Sequence, residues 1–339
     1  MKKMKVGVFG FGDVAPEYVK AINGNGHAEV VAIVGRDQEK TRARAHALGF
    51  EAEILSRYEE LVERKDIDII INTGPHYLHA KETIMAAKAG KHIVCEKPMG
   101  MNREEVKQVY DAVKKANVHF QCGMVLRWNP YILTLKRLID NGTFGDLFFI
   151  EFDYFHKLDR SWNGFSWGGQ NKSGGPSASL VAGIHAVDLM RHLGGEIKQV
   201  FAAGTYGHRK DFGYPPTYTA TVAYKNGAVG KTGCSFEGES PYLFNTLIHG
   251  SKGSVVYDSF YFKGLFPGQT GWQKFTTIMP DSGAVSHHPF KFLIDDFIDA
   301  ILHDRPSVNN IDETYRTHEL CMAIDHSIET NEKVELPFF

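Results

Sequence analysis

The feature that most constrains this chain is a short strand that breaks into a glycine turn and at once opens a helix. Residues 5–9 form an apolar run ending at Phe9. Gly10-Phe11-Gly12-Asp13-Val14-Ala15 follows, and residues 15–22 have helical composition. Gly10 permits a tight turn, and Gly12 lets the backbone approach an anion. Ala15 allows close packing of helix on strand, while the helix N-terminus offers free N–H groups. Glycines often make turns and nothing more, so position decides. This turn is the first strand–helix junction of a long alternating series. Apolar runs at 30–34, 67–71, 92–95 and 119–122 alternate with helix-like segments at 38–48, 78–89 and 103–116. Such alternation predicts βαβ units, right-handed crossovers and a doubly wound parallel sheet. Gly49, Gly90 and Asn117 fall where helix C-terminal residues of positive φ are expected.

In that setting the turn from Gly10 through Phe11, Gly12, Asp13 and Val14 reads as a pyrophosphate cradle of a dinucleotide-binding (Rossmann) domain. Asp13 has the wrong sign to face a phosphate, so its side chain reads as a helix cap. The ribose of such a cofactor meets the end of the second strand, where an acid would favour NAD. Here Val34-Gly35-Arg36-Asp37 supplies a small neutral residue followed by a cation, which points to NADP ahead of NAD. The alternative is a solvated Arg36 with Asp37 capping the next helix.

The texture changes near residue 124. One helix at 131–141 is followed by alternating, aromatic-rich segments at 146–155, 200–206, 218–224, 228–237, 243–249 and 254–261. Turn signals separate them, predicting a mainly antiparallel sheet closed by helices at 180–193, 290–302 and 312–329. The length of 339 residues suits two domains, read as 1–124 and 125–339. The formal charge of -2 leaves no basic field for nucleic acid. No apolar run approaches the roughly 20 residues that span a bilayer. Residues 1–12 lack a proper apolar core and cleavage site, so they read as structure and not as a signal peptide. The 4 cysteines show no CxxC and no framework spacing, which suits a reducing cytoplasm.

Residues 89–98 end in Cys95-Glu96-Lys97-Pro98, a charged pair and a proline at the carboxyl edge of the parallel sheet. Pro98 restricts Lys97 to extended geometry. A lysine there, beside a cationic nicotinamide, is suited to proton transfer, although Glu-Lys in isolation usually marks a surface pair. Later, His185, Asp188 and His192 fall at i, i+3 and i+7 and share a helix face beside the apolar stripe Leu180, Ile184, Val187 and Leu193. That face either lines a crevice, with His185 as a general base and Asp188 orienting it or meeting hydroxyls, or simply meets solvent. Arg127 reads as a substrate or cofactor clamp, or as a surface arginine. Arg160, Trp162 and Trp167 lie in or beside a Gly/Ser/Asn-rich loop at 161–177, where an aromatic sugar platform and a plain loop anchor are equally open readings. His287 and His288 are adjacent and no H-E-x-x-H occurs, so no metal site is expected.

Taken together these strings resemble the Gfo/Idh/MocA family of NAD(P)-dependent oxidoreductases, over nearly the whole chain. They comprise the glycine turn, Thr73-Gly74-Pro75-His76-Tyr77-Leu78-His79, the stretch to Pro98, Leu126-Arg127-Trp128-Asn129-Pro130, the string at 182–188, and a closing segment from His288 to Pro337. The resemblance implies a cofactor lined by the turn, Gly35, Arg36, Thr73, Gly74, Pro75, His76, His79, Glu96 and Lys97. It implies Lys97 and His185 as catalytic groups, and Arg127, Trp162 and Asp188 toward substrate. It implies hydride transfer between NAD(P) and a secondary alcohol of a sugar, cyclitol or polyol, in a homodimer or homotetramer. The family also contains NAD-dependent glycosidases and a non-enzymatic nucleotide-sensing regulator. Many members carry Asp four residues before the histidine, where this chain has Val181, and the Thr73 loop departs from the usual Thr-Pro-Asn pattern.

Overall fold

The computed structural model describes residues 3–162, 164–170, 177–277 and 288–339. It divides into two compact units, Met1–Val125 with Val285–Arg316, and Leu126–Ala284 with Thr317–Phe339.

The first unit runs β1 (Met4–Phe9), α1 (Ala15–Asn23), β2 (Ala28–Val34), α2 (Gln38–Ala47), β3 (Glu53–Leu55), α3 (Tyr58–Glu63), β4 (Ile69–Asn72), α4 (His76–Lys88), β5 (His92–Cys95), α5 (Arg103–Ala116) and β6 (Phe120–Cys122). All six strands are parallel, in the order β3-β2-β1-β4-β5-β6. The order reverses between β1 and β4, and ligands bind outside the carboxyl ends of strands at such a switch point. Buried aliphatic residues from both β1 and β4, such as Val6, Val8, Ile69 and Ile71, let the two pair centrally in the sheet. Gly49, Gly90 and Asn117 all have positive φ just past helix ends, as expected. β3 and α3 are short and were not legible in the sequence pattern.

The helix Phe290–Leu302 belongs to this first unit, not to the second domain where the sequence pattern had put it. The reason is packing against the sheet edge. Gln121 Nε2 donates to Leu293 O at 2.7 Å, Ser307 Oγ donates to Phe120 O at 2.9 Å, and Phe290 packs edge-on to Tyr18 at 4.8 Å.

The second unit contains α6 (Pro130–Asp140), β7 (Leu147–Phe155), α7 (Ile184–Gly194), β8 (Ile197–Thr205), β9 (Thr217–Tyr224), β10 (Val229–Ser235), β11 (Leu243–Gly250), β12 (Ser254–Val256), β13 (Ser259–Tyr261), β14 (Gln273–Lys274) and β15 (Val334–Glu335). Its nine-stranded sheet runs β14-β13-β12-β11-β7-β10-β9-β8-β15. Every pairing is antiparallel except β10 with β7. The single expected strand at 254–261 is a hairpin, because Tyr257 takes φ 51 and breaks the run. Alternation buries Ile150 and Phe152 against the helices, while Phe201 and Val229 lie on the open face at 42% and 51% exposure.

Candidate active site

In the first unit the glycine turn and the Thr73 loop meet at the switch point. Gly10 has φ 81, and a Cβ there would lie 2.6 Å from Thr73 O. Thr73 Oγ1 in turn donates to Gly10 O at 2.8 Å. Gly74 is also required, since a Cβ there would lie 2.5 Å from the Phe9 ring. Gly12 is different: a Cβ would meet no protein atom within 4 Å, so packing does not explain the missing side chain. Asp13 does not cap α1. The cap position is Val14, with no side-chain hydrogen bond, so Asp13 stands one residue before it. Asp13 instead lies 3.8 Å from Arg44. A backbone turn with space in front of it, at an uncapped helix N-terminus, fits a dinucleotide pyrophosphate.

At the end of β2 the glycine has a packing reason. A Cβ on Gly35 would come within 2.0 Å of Thr41 Oγ1, which donates to Asp37 O at 2.7 Å. Asp37 caps α2 by accepting from Lys40 N–H at 3.1 Å, and Arg36 is exposed. Arg44, which the sequence did not single out, donates to Phe11 O at 3.0 Å and lies over the Phe11 ring. Its spacing on α2 carries no signal for this, because the contact depends on how α2 lies over the turn.

His79 holds the loops together. It is fully buried, with Nδ1 2.7 Å from Pro98 O and Nε2 2.8 Å from Gly74 O. Burial lowers its pKa against the opposing pull of those two carbonyls. Expected among cofactor contacts, it is a clamp between the Thr73 loop, with Pro75 at the α4 cap, and the residue after Lys97. Burial, then the neighbouring His79 and Lys97, lower the pKa of His76, the first residue of α4. Lys97 itself is partly exposed, and its N–H donates to Glu96 Oε2 at 3.1 Å.

In the second unit Arg127 and Asp188 pair with each other. Arg127 Nε and Nη2 both donate to the Asp188 carboxylate at 2.7 Å, and the side chains are 1% and 2% exposed. Thr317 Oγ1 adds a third donor to Asp188 at 3.0 Å. Burial opposes the charge on Asp188, and Arg127 overcomes it, leaving the pKa below the ordinary value. Burial, then Arg127, push His192 down to about 4. The expected polar face of α7 is therefore internal.

His185 follows a π-helical turn, Ser179–Gly183, in place of the regular helix expected from residue 180. Glycine at 183 leaves room for Tyr218, whose hydroxyl a Cβ there would approach to 2.6 Å. Such turns often mark functional positions. His185 is buried and stacks on Tyr154 at 6.2 Å, and Tyr154 contacts His156 and Tyr242 edge-on. Trp162 sits in a turn with its N–H donating to Asp159 O at 3.1 Å, and Arg160 pairs with Asp211 at 2.7 Å. His287 and the Trp167 side chain lie outside what is described. Among the described residues no group of His, Cys, Asp and Glu is arranged to hold a metal. No helix among them is long and apolar enough to cross a membrane.

Residues 4–124 match the family described as "Oxidoreductase family, NAD-binding Rossmann fold", and residues 136–336 match its "C-terminal alpha/beta domain". The chain belongs to the Gfo/Idh/MocA oxidoreductases. Among curated members of that family, levoglucosan dehydrogenase of Pseudarthrobacter phenanthrenivorans is 28% identical over 67% of this chain and 64% of its own length. Myo-inositol 2-dehydrogenase of Thermotoga maritima is 26% identical over 76% of this chain and 75% of its own. A solved levoglucosan dehydrogenase, in complex with NADH and levoglucosan, shares the fold of this oxidoreductase at TM-score 0.88, 23% identity and full coverage of both chains. In this family member the aromatic group around His185 is assembled from segments that share no sequence motif. Phe152, Tyr154 and His156 recur at every second position, the spacing that puts side chains on one face of a strand.

Proposed function

We propose that this oxidoreductase transfers hydride between NAD(P) and a secondary alcohol of a sugar, cyclitol or related polyol. The observation that carries the reading is the carboxyl edge of the first sheet. There the open Gly12 turn and Lys97 lie on neighbouring loops, tied through Gly74, His79 and Pro98. Gly10, Phe11, Gly12 and Val14 would hold the pyrophosphate with backbone groups, and Thr73, Gly74, Pro75 and Glu96 would line the cofactor beside them. The bound nicotinamide would supply the hydride acceptor or donor. Lys97 would polarise the reacting oxygen through its ammonium. His185 would accept the hydroxyl proton on oxidation and return it on reduction. Tyr154, His156, Tyr242 and Trp162 supply aromatic and polar surface of the kind sugars stack on. The named activities of the levoglucosan and inositol relatives support a sugar or cyclitol.

Arg36 supports NADP over NAD, since it is the exposed cation at the ribose end. Exposed Phe201 and Val229 support burial of the open sheet face against a second copy of the chain, in a homodimer or homotetramer. A relative 26% identical is named 2,7-anhydro-N-acetylneuraminate hydratase, and hydration involves no net oxidation. That name favours a second reading, in which the redox change is transient.

One panel separates the readings. Polyols, aldoses and glycosides are offered with NAD and NADP, followed by nicotinamide absorbance and by product analysis, for wild type, His185→Ala and Arg36→Ala. Net NAD(P)H formation that falls about 100-fold in His185→Ala supports the first reading. Product without net absorbance change supports the second. Selective loss of NADPH affinity in Arg36→Ala supports NADP.

A further inference from the structure

Tyr18 lies on α1, the helix that the glycine turn opens, and it is wholly buried. Its hydroxyl donates to Glu96 Oε1 at 2.6 Å, while the other carboxylate oxygen accepts from Lys97 N–H at 3.1 Å. Position 123 accommodates this pair. A Cβ on Gly123 would lie 2.6 Å from Glu96 Oε1 and 2.9 Å from the Tyr18 hydroxyl. Three segments, α1 and the ends of β5 and β6, thus enclose one carboxylate directly beside the proposed catalytic lysine.

Burial shifts three of its other titratable neighbours toward their neutral forms. Burial pushes the Cys95 thiol up to about 12, and Cys122 lies near Tyr18 on β6. From α4, His76 and His79 are both held toward the neutral form. The helix Phe290–Leu302 covers the Tyr18 ring with Phe290, and His288 lies one ring further, 6.0 Å from Phe290. Burial raises the Glu96 pKa, while Lys97 and the Tyr18 hydroxyl pull it back. A phenylalanine would fill the same volume against Phe290, so the hydroxyl is explained by the carboxylate and not by packing.

We propose that Tyr18 is a positioning residue for Lys97: its hydroxyl fixes Glu96 as the anionic neighbour of the Lys97 ammonium and so sets the charge Lys97 presents to the reacting oxygen. The importance of Lys97 rests on the hydride-transfer reading, but the charge relation is measurable without any substrate.

The experiment is lysine [13C]methylation with NMR titration of the whole protein, the Lys97 signal being the one lost in Lys97→Arg. The wild-type signal is expected to show two inflections, an alkaline one from Lys97 and a lower one from Glu96. Tyr18→Phe should move the lower inflection up by about one pH unit, because the carboxylate loses a donor. Glu96→Gln should abolish it and move the alkaline inflection down by about one unit. Melting temperature is read alongside. A Tyr18→Phe protein with a lower melting temperature but unmoved inflections would make Tyr18 merely structural and overturn the proposal. If Tyr18→Phe does not fold, an unmoved alkaline inflection in Glu96→Gln overturns it equally. Moved inflections in a protein that transfers no hydride would leave this charge relation standing and remove the hydride-transfer reading instead.

Discussion

The two units hold their candidate catalytic groups by different means. In the first, backbone does most of the work: a positive-φ glycine, an uncapped helix end, and two carbonyls set against the His79 ring. In the second, buried side-chain pairs brace the turn and helix that carry His185, joining residues far apart in sequence. Arg127 and Asp188 are 61 residues apart, Asp188 and Thr317 are 129 apart, and Ser179 and Asp325 are 146 apart. A backbone site is written locally, in glycines and prolines, whereas a side-chain network is written only in its partners. The difference teaches where a sequence motif names a function and where it names a brace.

The largest effect that tests this contrast is in the second unit. Arg127→Met leaves the Asp188 carboxylate buried beside Thr317 without its cation. Removing one partner of a buried ion pair costs about 3–5 kcal/mol, mostly from the stranded charge. Urea unfolding should show that loss, and Arg127→Met with Asp188→Leu should recover most of it. If Arg127→Met unfolds at the wild-type midpoint yet fails to bind a sugar, the pair is a substrate clamp and the contrast fails.

Legibility followed the same division. Gly10, Gly12 and the order of strands and helices in the first unit were readable because each answers a local backbone demand. Gly35 was readable as small but not for its reason, since Thr41 fills that space only once α2 has docked. Arg127, Asp188 and His185 were readable as special residues, but the pairing of Arg127 with Asp188 was not. Nothing local in Leu126-Arg127-Trp128 or in the 182–188 string says that the two meet across 61 residues. The π-helical turn at Ser179–Gly183 was illegible too, and the Tyr218 hydroxyl for which Gly183 leaves room lies far along the chain on β9. Asp325, bound by Ser177 and Ser179 at the start of that segment, gave no sequence signal at all.

A middle-sized effect separates two glycines of one turn. Gly10→Ala places a Cβ against Thr73 O at positive φ, a strain of about 1–3 kcal/mol. It should lower both stability and NADH affinity. Gly12→Ala meets no protein atom, so stability should stay within about 0.5 kcal/mol of wild type. NADH affinity should still fall about tenfold, since the methyl group fills the approach to the backbone. Paired thermal melts and fluorescence titrations check both. Equal affinity in Gly12→Ala and wild type would mean that the turn is only a turn.

The smallest effect concerns two carboxyl groups, one in each unit, whose pKa is raised to about 7 by burial first of all. Glu82 on α4 is 4% exposed, and its Oε2 has no hydrogen-bond partner among the described residues. Asp325 accepts from both Ser177 and Ser179. The folded Glu82 holds its proton more tightly than the unfolded chain, where the ordinary value is 4.5. Stability from this group is therefore complete below that value, falls as pH rises toward about 7, and is level above it. Glu82→Gln removes the ionisation and should gain about 1 kcal/mol at pH 8 while gaining nothing at pH 4. Asp325→Asn also removes a raised ionisation, but one of the two serine hydroxyls then faces an amide NH2 and loses its bond to the carboxylate. No gain at pH 8 is expected there. Urea midpoints of the four combinations of variant and pH decide the matter. A pH 8 gain of similar size in both variants would show that the second unit's side-chain partners brace nothing, and would erase the difference between the units at its weakest point.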